Sequence, residues 1–323
     1  MRLRVNAVFE GGGVKAIALV GAVKAAEQNG IQFEKVAGTS SGAIVASLIA
    51  AGYSADEMRD LIMEMPFQSF VPKGMLHRLN WIGPAIRIMV KKGLYSGLQL
   101  EEWISEKLSK KGISTFGDLK ENQLRVIASD ITQGKMLVLP DDIRQYGYDP
   151  KQLKVSEAIM MSSAIPYFFE PVMIRPADGK RRQTYYIVDG ALLSNFPLWL
   201  FDQKYKYGGK IVPAIGFRLV GKNEREPIRI HGPISMFRAL FATMMGAHDE
   251  RHIGKNAAFR TVKIPTLGVQ TTEFGISQEK AKALYRTGLE AGNEFFRKWS
   301  MSEYMMQFEK VVLSGLKGDG KKR

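Results

Sequence analysis

Ser40 lies in the run Gly38-Thr39-Ser40-Ser41-Gly42, a match to G-x-S-x-G. The pattern alone is common, and its setting carries more weight. Phe33 to Ala37 is a short apolar run of strand character and Ala43 to Ala51 an apolar helix, so the serine falls where a strand turns sharply into a helix. Flanking glycines are what such a turn needs, because a side chain there would collide with neighbouring elements. A serine at that turn is pushed out at the C-terminal end of a sheet. It also sits at a helix N-terminus, whose partial positive charge favours a developing alkoxide. The chemistry open to it is acyl transfer through a covalent ester. The plainer alternative is a Gly/Ser-rich turn in which Ser41 or Thr39 caps the helix.

Glu10-Gly11-Gly12-Gly13-Val14-Lys15, upstream, also joins a strand to a helix. Consecutive loops of a βαβ unit sit at the C-terminal ends of neighbouring strands, where α/β sheets build their sites. Three successive glycines leave backbone N–H groups uncovered and able to converge on an anion. In an acyl hydrolase or transferase that anion is the tetrahedral oxyanion, and each such donor is worth roughly 10²–10³ in rate. Lys15 adds positive charge nearby. The same run satisfies a dinucleotide fingerprint, Gly11-x-Gly13-x-x-Ala16, with Glu34 about 20 residues on, where a ribose-binding carboxylate would sit. On that reading the chain is a dinucleotide-binding protein and the Ser40 turn, on the next strand, has no purpose. A nucleophile beside its oxyanion hole accounts for both turns.

An activated serine needs a proton acceptor. None of the four histidines, His77, His231, His248 and His252, sits in a strand-end or glycine-turn setting. Tyr185 to Val188 reads as a strand and Asp189-Gly190-Ala191 as the turn after it, which puts a carboxylate at the end of a buried strand. Aspartate before glycine is also a common turn pair. An unperturbed carboxylate, with a pKa of about 4, is a weak base for this task. Burial would raise it toward the useful range.

Taken in order, the glycine triplet with its following lysine, the G-x-S-x-G turn and the distant Asp189-Gly190-Ala191 resemble the patatin-like phospholipase family. Asp130-Ile131-Thr132-x-Gly134 and the run from Ser162 to Pro171 add to the likeness, which extends from about Asn6 to Pro197. The resemblance implies a three-layer α/β/α fold with a mostly parallel central sheet. It implies a Ser40–Asp189 dyad, with Gly11, Gly12 and Gly13 as the oxyanion loop. The expected reaction is hydrolysis of fatty-acyl esters of phospholipids or related lipids through an acyl-Ser40 intermediate, with Asp189 also activating the water. No metal and no organic cofactor is implied. Ala16 departs from the family pattern, which usually carries a glycine after the basic residue; the added methyl leaves the donor N–H groups in place. A lipid-binding relative with little turnover would carry the same motifs.

The elements that must position these groups alternate. Arg4 to Phe9 is an apolar run that breaks into glycines, and Val14 to Gln28 reads as a helix with Ile17, Val20, Ala22 and Val23 on an apolar side. The Phe33 run and the Ser40 helix come immediately after. Strand, helix, strand, helix in quick succession implies parallel strands with right-handed crossovers. Leu124 to Ala128 and Val212 to Leu219 are further strands, and Gln278 to Trp299 is a helix with Ser277 as its N-cap. No linker divides the 323 residues, so one α/β domain over 1–323 is expected, ending in a basic tail over 314–323.

With no cysteine, the chain excludes disulfides, thiolate metal sites and cysteine nucleophiles. Its N-terminus lacks an apolar signal-peptide core. No apolar run approaches the roughly 18 residues of a spanning helix. A cytoplasmic or membrane-peripheral protein is expected. The net charge of +14 is concentrated. Met65 to Leu100 carries Lys73, Arg78, Arg87, Lys91 and Lys92 with no acidic residue, and Lys204 to Lys263 is a second basic window. A field so localised suggests an anionic lipid surface, against the plainer reading of a solvated basic face. Trp81 to Lys92 mixes apolar and basic residues around Pro84 and reads as a lid or docking surface for phospholipid. Ile234 to Met245, rich in Met and Phe, reads as core packing. Neither stretch resembles a nucleic-acid module, and no nucleic-acid partner is expected.

Overall fold

The structure is a computed structural model and describes residues 3–65, 91–177, 179, 183–202, 211–221, 230–232, 236, 239–240, 243, 255–271, 273 and 275–310. His77, His248, His252, the tail 314–323 and all of the Trp81 to Lys92 stretch except Lys91 and Lys92 lie outside the described residues.

The chain opens with β1 (Leu3–Phe9), α1 (Ala16–Gln28), β2 (Ile31–Thr39), α2 (Ser41–Ala50) and α3 (Ala55–Met63). Next come β3 (Gly93–Tyr95), α4 (Leu98–Ser109), β4 (Leu124–Asp130), β5 (Lys135–Leu139) and α5 (Val155–Ser163). After these are β6 (Tyr167–Phe169), β7 (Val172–Ile174), β8 (Tyr185–Asp189), β9 (Ala214–Val220) and β10 (Thr261–Pro265). Two helices, α6 (Gln278–Lys298) and α7 (Met301–Phe308), succeed the last strand. The main sheet runs β10-β9-β1-β2-β4-β8-β7, with β5 on the far edge of β4. From β10 to β4 every pairing is parallel, whereas β5, β8 and β7 join antiparallel. Helices flank this mostly parallel sheet in three α/β/α layers.

The central strands are apolar because both of their faces are covered, as parallel sheets require. In β1 every residue from Val5 to Phe9 is buried. The helix α1 is apolar nearly all round for the same reason, with ten buried residues from Ala16 to Ala26. By contrast α6 is amphipathic, burying Leu284 and Phe296 and exposing its charges. Ser277 caps α6 by accepting from the N–H of Lys280 at 3.3 Å, so this helix matches the sequence reading to within one residue. The first helix differs in detail. Gly13–Lys15 forms a 3-10 turn, and regular helix begins only at Ala16.

The register of β4 sets how two strand ends meet. It pairs with β2 up to Thr39↔Ile127 and with β8 from Ala128↔Asp189 onward. Both pairings overlap the β5 ladder, so β2 and β8 share the edge of β4 that β5 leaves free. One arrives parallel and the other antiparallel. Their C-terminal ends therefore meet head to head between Ile127 and Ala128. Gly190 is required at that junction, since a Cβ there would strike the Ile127 carbonyl and press on the Thr39 methyl.

One expectation about packing is corrected. Within 234–245 the described residues Met236, Ala239, Leu240 and Thr243 are helical, yet Met236 and Leu240 are each 53% exposed. The pair lies four residues apart, and so forms an outward stripe on the helix. Among the described residues no helix is long and apolar enough to cross a membrane.

Candidate active site

The head-to-head junction brings two sequence-distant side chains together. The Ser40 hydroxyl donates to Asp189 Oδ2 at 2.7 Å, and both residues are buried. Ser40 has φ 53° and ψ −127°, a backbone conformation that side-chain-bearing residues rarely adopt. Its flanking glycines make that turn possible: a Cβ on Gly42 would meet the carbonyls of Phe9 and Glu10, and one on Gly38 the carbonyl of Gly42. The helix-capping alternative is not realised. Ser40 stands at the N-cap of α2 without capping it, Ser41 Oγ accepts instead from the N–H of Gly12 at 3.0 Å, and Thr39 Oγ1 donates to the Ser194 carbonyl at 2.9 Å.

Asp189 is 1% exposed. Burial pushes its carboxyl up to about 7, against the opposing pull of the Ala191 N–H, 2.8 Å from Oδ1, and of the Ser40 hydroxyl on Oδ2. The backbone N–H of Asp189 donates to the Ala164 carbonyl at 2.9 Å. Of the histidines, only His231 is among the described residues, and it is exposed. No described histidine contacts Ser40 Oγ.

The glycine loop leans on Ser40: a Cβ on Gly11 would come within 3.1 Å of Ser40 Cβ. Its three N–H groups are not equivalent. That of Gly11 donates to the Asn195 carbonyl at 3.3 Å and that of Gly12 to Ser41 Oγ, whereas that of Gly13 meets no protein acceptor among the described residues. Gly13 has φ 59°, and a Cβ there would run into the carbonyl of Thr271. Glu10, which precedes the loop, is 5% exposed and accepts from the N–H of Leu219, with Arg218 3.7 Å away.

Two residues at the site have polar roles that no local sequence signal assigns. Asn195, 3% exposed, donates from Nδ2 to the Gly11 carbonyl at 3.2 Å, tying the turn after Asp189 to the glycine loop. Ser162 Oγ accepts from the N–H of Ser40 at 2.8 Å. Ser162 does belong to a run that carries the family likeness, but nothing local marks its hydroxyl as a partner of Ser40.

The dinucleotide reading fails on geometry. Glu34 lies in the first half of β2, beside a cavity of 720 Å³ that Arg4, Gly30 and Lys120 also line. Six residue steps along the strand separate it from Ser40, on the order of 20 Å. A ribose carboxylate belongs at the other end, beside the glycines. Among the described residues no three His, Asp or Glu side chains converge as a metal site.

Comparison with known proteins agrees with this architecture. The family model for patatin-like phospholipases matches residues 7–202. An uncharacterized protein of Bacillus subtilis (strain 168), YqhO, is 41% identical over 304 residues, spanning 92% of this chain and 99% of its own. An uncharacterized protein of Acanthamoeba polyphaga mimivirus is 22% identical over 299 residues, spanning 88% of this chain and 91% of its own. Two solved structures share the fold at 16% identity. VipD from Legionella pneumophila has a TM-score of 0.54, covering 92% of this chain and 67% of that one. ExoU of Pseudomonas aeruginosa, solved as a heterodimer with SpcU, has a TM-score of 0.51, covering 99% of this chain and 60% of that one. The chain belongs to the patatin-like phospholipase family, and at that level it is a lipid acyl hydrolase.

Proposed function

We propose that the protein cleaves fatty-acyl esters of phospholipids, or of closely related lipids, through an acyl-Ser40 intermediate with Asp189 as the only base. The observation that carries this reading is the buried 2.7 Å bond from Ser40 Oγ to Asp189 Oδ2. In acylation Ser40 Oγ attacks the ester carbonyl carbon and its proton passes to Asp189 Oδ2. The carbonyl oxygen becomes an oxyanion beside the loop of Gly11, Gly12 and Gly13, where the N–H of Gly13 and the positive end of α2 favour it. The N–H groups of Gly11 and Gly12 hold internal partners at rest, and their roles are to fix the loop or to exchange partners as charge develops. Collapse breaks the bond to the alcohol, which leaves with the proton from Asp189. In deacylation Asp189 takes a proton from water as the hydroxide attacks the acyl carbon, the bond from that carbon to Ser40 Oγ breaks, and Asp189 returns the proton to Ser40 Oγ as the fatty acid leaves.

A base near neutrality suits this cycle better than one near 4, because proton transfer from the serine is less uphill while much of the carboxyl is still ionised at neutral pH. Burial supplies that shift. The same protein would dock on anionic lipid through its basic windows. Lys91 and Lys92 are exposed, and Lys92 Nζ stands 4.9 Å from the centre of the Tyr186 ring. Across the β7–β8 ladder Tyr186 faces Met173, which is 61% exposed, so cation and apolar side chains share one face. A fluorophosphonate probe tests the core of the proposal. It should label the protein once, at Ser40, with loss of esterase activity. Labelling at another residue, or full activity after labelling, would refute it.

A further inference from the structure

We propose that Ser162 is a positioning residue for the nucleophile, its hydroxyl bridging the break between β2 and β4 and so holding Ser40 against Asp189. The inference rests on the reading of Ser40 as the nucleophile. The N–H of Ser40 belongs neither to the β2–β4 ladder, which ends at Thr39↔Ile127, nor to α2, which begins at Ser41. The carbonyl of Ile127 faces the same gap, since a Cβ on Gly190 would run into it. Ser162 Oγ joins the two: it accepts from the Ser40 N–H at 2.8 Å and donates to the Ile127 carbonyl at 2.5 Å. A hydroxyl has one proton to give and two lone pairs to offer. Giving the proton to Ile127 leaves the lone pairs for Ser40, so the bridge has one sense.

Ser162 is 0% exposed. No solvent is at hand to replace it. The same turn serves the other member of the pair, because Ala164, two residues on, accepts the N–H of Asp189 at 2.9 Å. The end of α5 therefore grips the backbones of both Ser40 and Asp189 and sets their separation. Ser40 needs that grip, since its positive φ is a conformation the surroundings must enforce. An alanine at 162 would leave a buried N–H without a partner and let the elbow relax. A displacement of ~1 Å at a reacting atom is enough to lose on the order of 10²-fold in rate.

The test compares the parent with Ser162→Ala and Ser162→Thr on a soluble short-chain ester. It records kcat, KM, the pH dependence of kcat and the rate of fluorophosphonate labelling. Ser162→Ala should lower kcat by about 10- to 100-fold with KM within about twofold, and should slow labelling in proportion. The midpoint of the pH profile should move little, and only upward, because the burial of Asp189 and its bond to the Ala191 N–H are untouched and only the smaller pull of the Ser40 hydroxyl weakens. Ser162→Thr keeps the hydroxyl and should recover most of the rate. A kcat for Ser162→Ala within about twofold of the parent, a loss carried in KM, or equal damage from alanine and threonine would overturn the proposal. Should the alanine variant not fold, Ser162→Cys retains the shape with a much weaker acceptor and faces the same criteria. Mapping the labelled residue in the parent separates the nucleophile from its support. Labelling away from Ser40 removes both, whereas labelling at Ser40 with a fully active Ser162→Ala removes only the support.

Discussion

Replacing Asp189 with asparagine removes the proposed base and, at the same time, an ionisable group that burial disfavours in its charged form. The carboxyl titrates near 7 in the folded chain against a reference of 3.8. Between those values the folded state keeps a proton that the unfolded state has released, so stability falls as pH rises from about 4 and levels off above about 7. A rise from 3.8 to about 7 corresponds to about 4 kcal/mol in all, of which more than half lies between pH 5 and pH 8. Asparagine cannot titrate. Urea unfolding of parent and Asp189→Asn at pH 5 and pH 8 should therefore show the variant gaining roughly 3 kcal/mol on the parent over that interval. Its kcat should fall on the order of 10²–10⁴-fold, the range for losing a general base. In the parent, kcat should rise with pH through about 7 as Asp189 ionises. A parallel pH dependence of stability in both proteins would refute the claim that Asp189 is buried with a raised pKa. An Asp189→Asn enzyme with substantial turnover would refute its role as base.

Three further outcomes are expected. Ser40→Ala should fold as the parent does, lose all fluorophosphonate labelling and lose essentially all esterase activity; a fully active variant would remove Ser40 from the mechanism. Single replacements of His77, His231, His248 and His252 should each leave substantial turnover, and EDTA should not inhibit; a histidine variant as dead as Ser40→Ala would demand a conventional triad. Reversing Arg87, Lys91 and Lys92 to Glu should weaken binding to anionic vesicles by about 1 kcal/mol per charge, an effect that salt screens, while sparing hydrolysis of a soluble ester. Equal losses on both substrates would assign that segment to the fold instead.

The parts of the site that sequence makes legible are those whose requirements are local. A sharp strand-to-helix turn needs glycines at its own flanks, so Gly38 and Gly42 announce the elbow at Ser40 wherever the rest of the chain goes. The same holds for the triplet at Gly11 and for Asp189 before Gly190. The alternation of apolar runs likewise reveals parallel strands. Features that depend on register stay hidden. Glu34 has a fair spacing from the glycine loop for a ribose ligand, but β2 starts at Ile31 and carries that carboxylate at the wrong end of the sheet. Ser162 and Asn195 look like ordinary helix-end and loop residues until folding sets their polar atoms against Ser40 and Gly11. The outward stripe of Met236 and Leu240 reads as core in the sequence because apolar spacing identifies a helical face without saying which way that face turns.

The reversal of strand direction at β8 gives the proposed dyad a physical basis, because it lets a carboxylate reach the serine directly. In a fully parallel sheet each strand delivers its C-terminal residue beside its neighbour's, about 4.8 Å away across the ladder. Here β2 and β8 abut along one edge of β4 instead of lying side by side, and their ends close to the 2.7 Å of a direct hydrogen bond. No imidazole fits between Ser40 and Asp189 at that separation. The same abutment places the carboxylate inside the sheet layer, where it is 1% exposed and its affinity for a proton rises. On the proposed mechanism the geometry that leaves no room for an imidazole also raises the proton affinity of the carboxylate, and both effects arise from the single register step between Ile127 and Ala128.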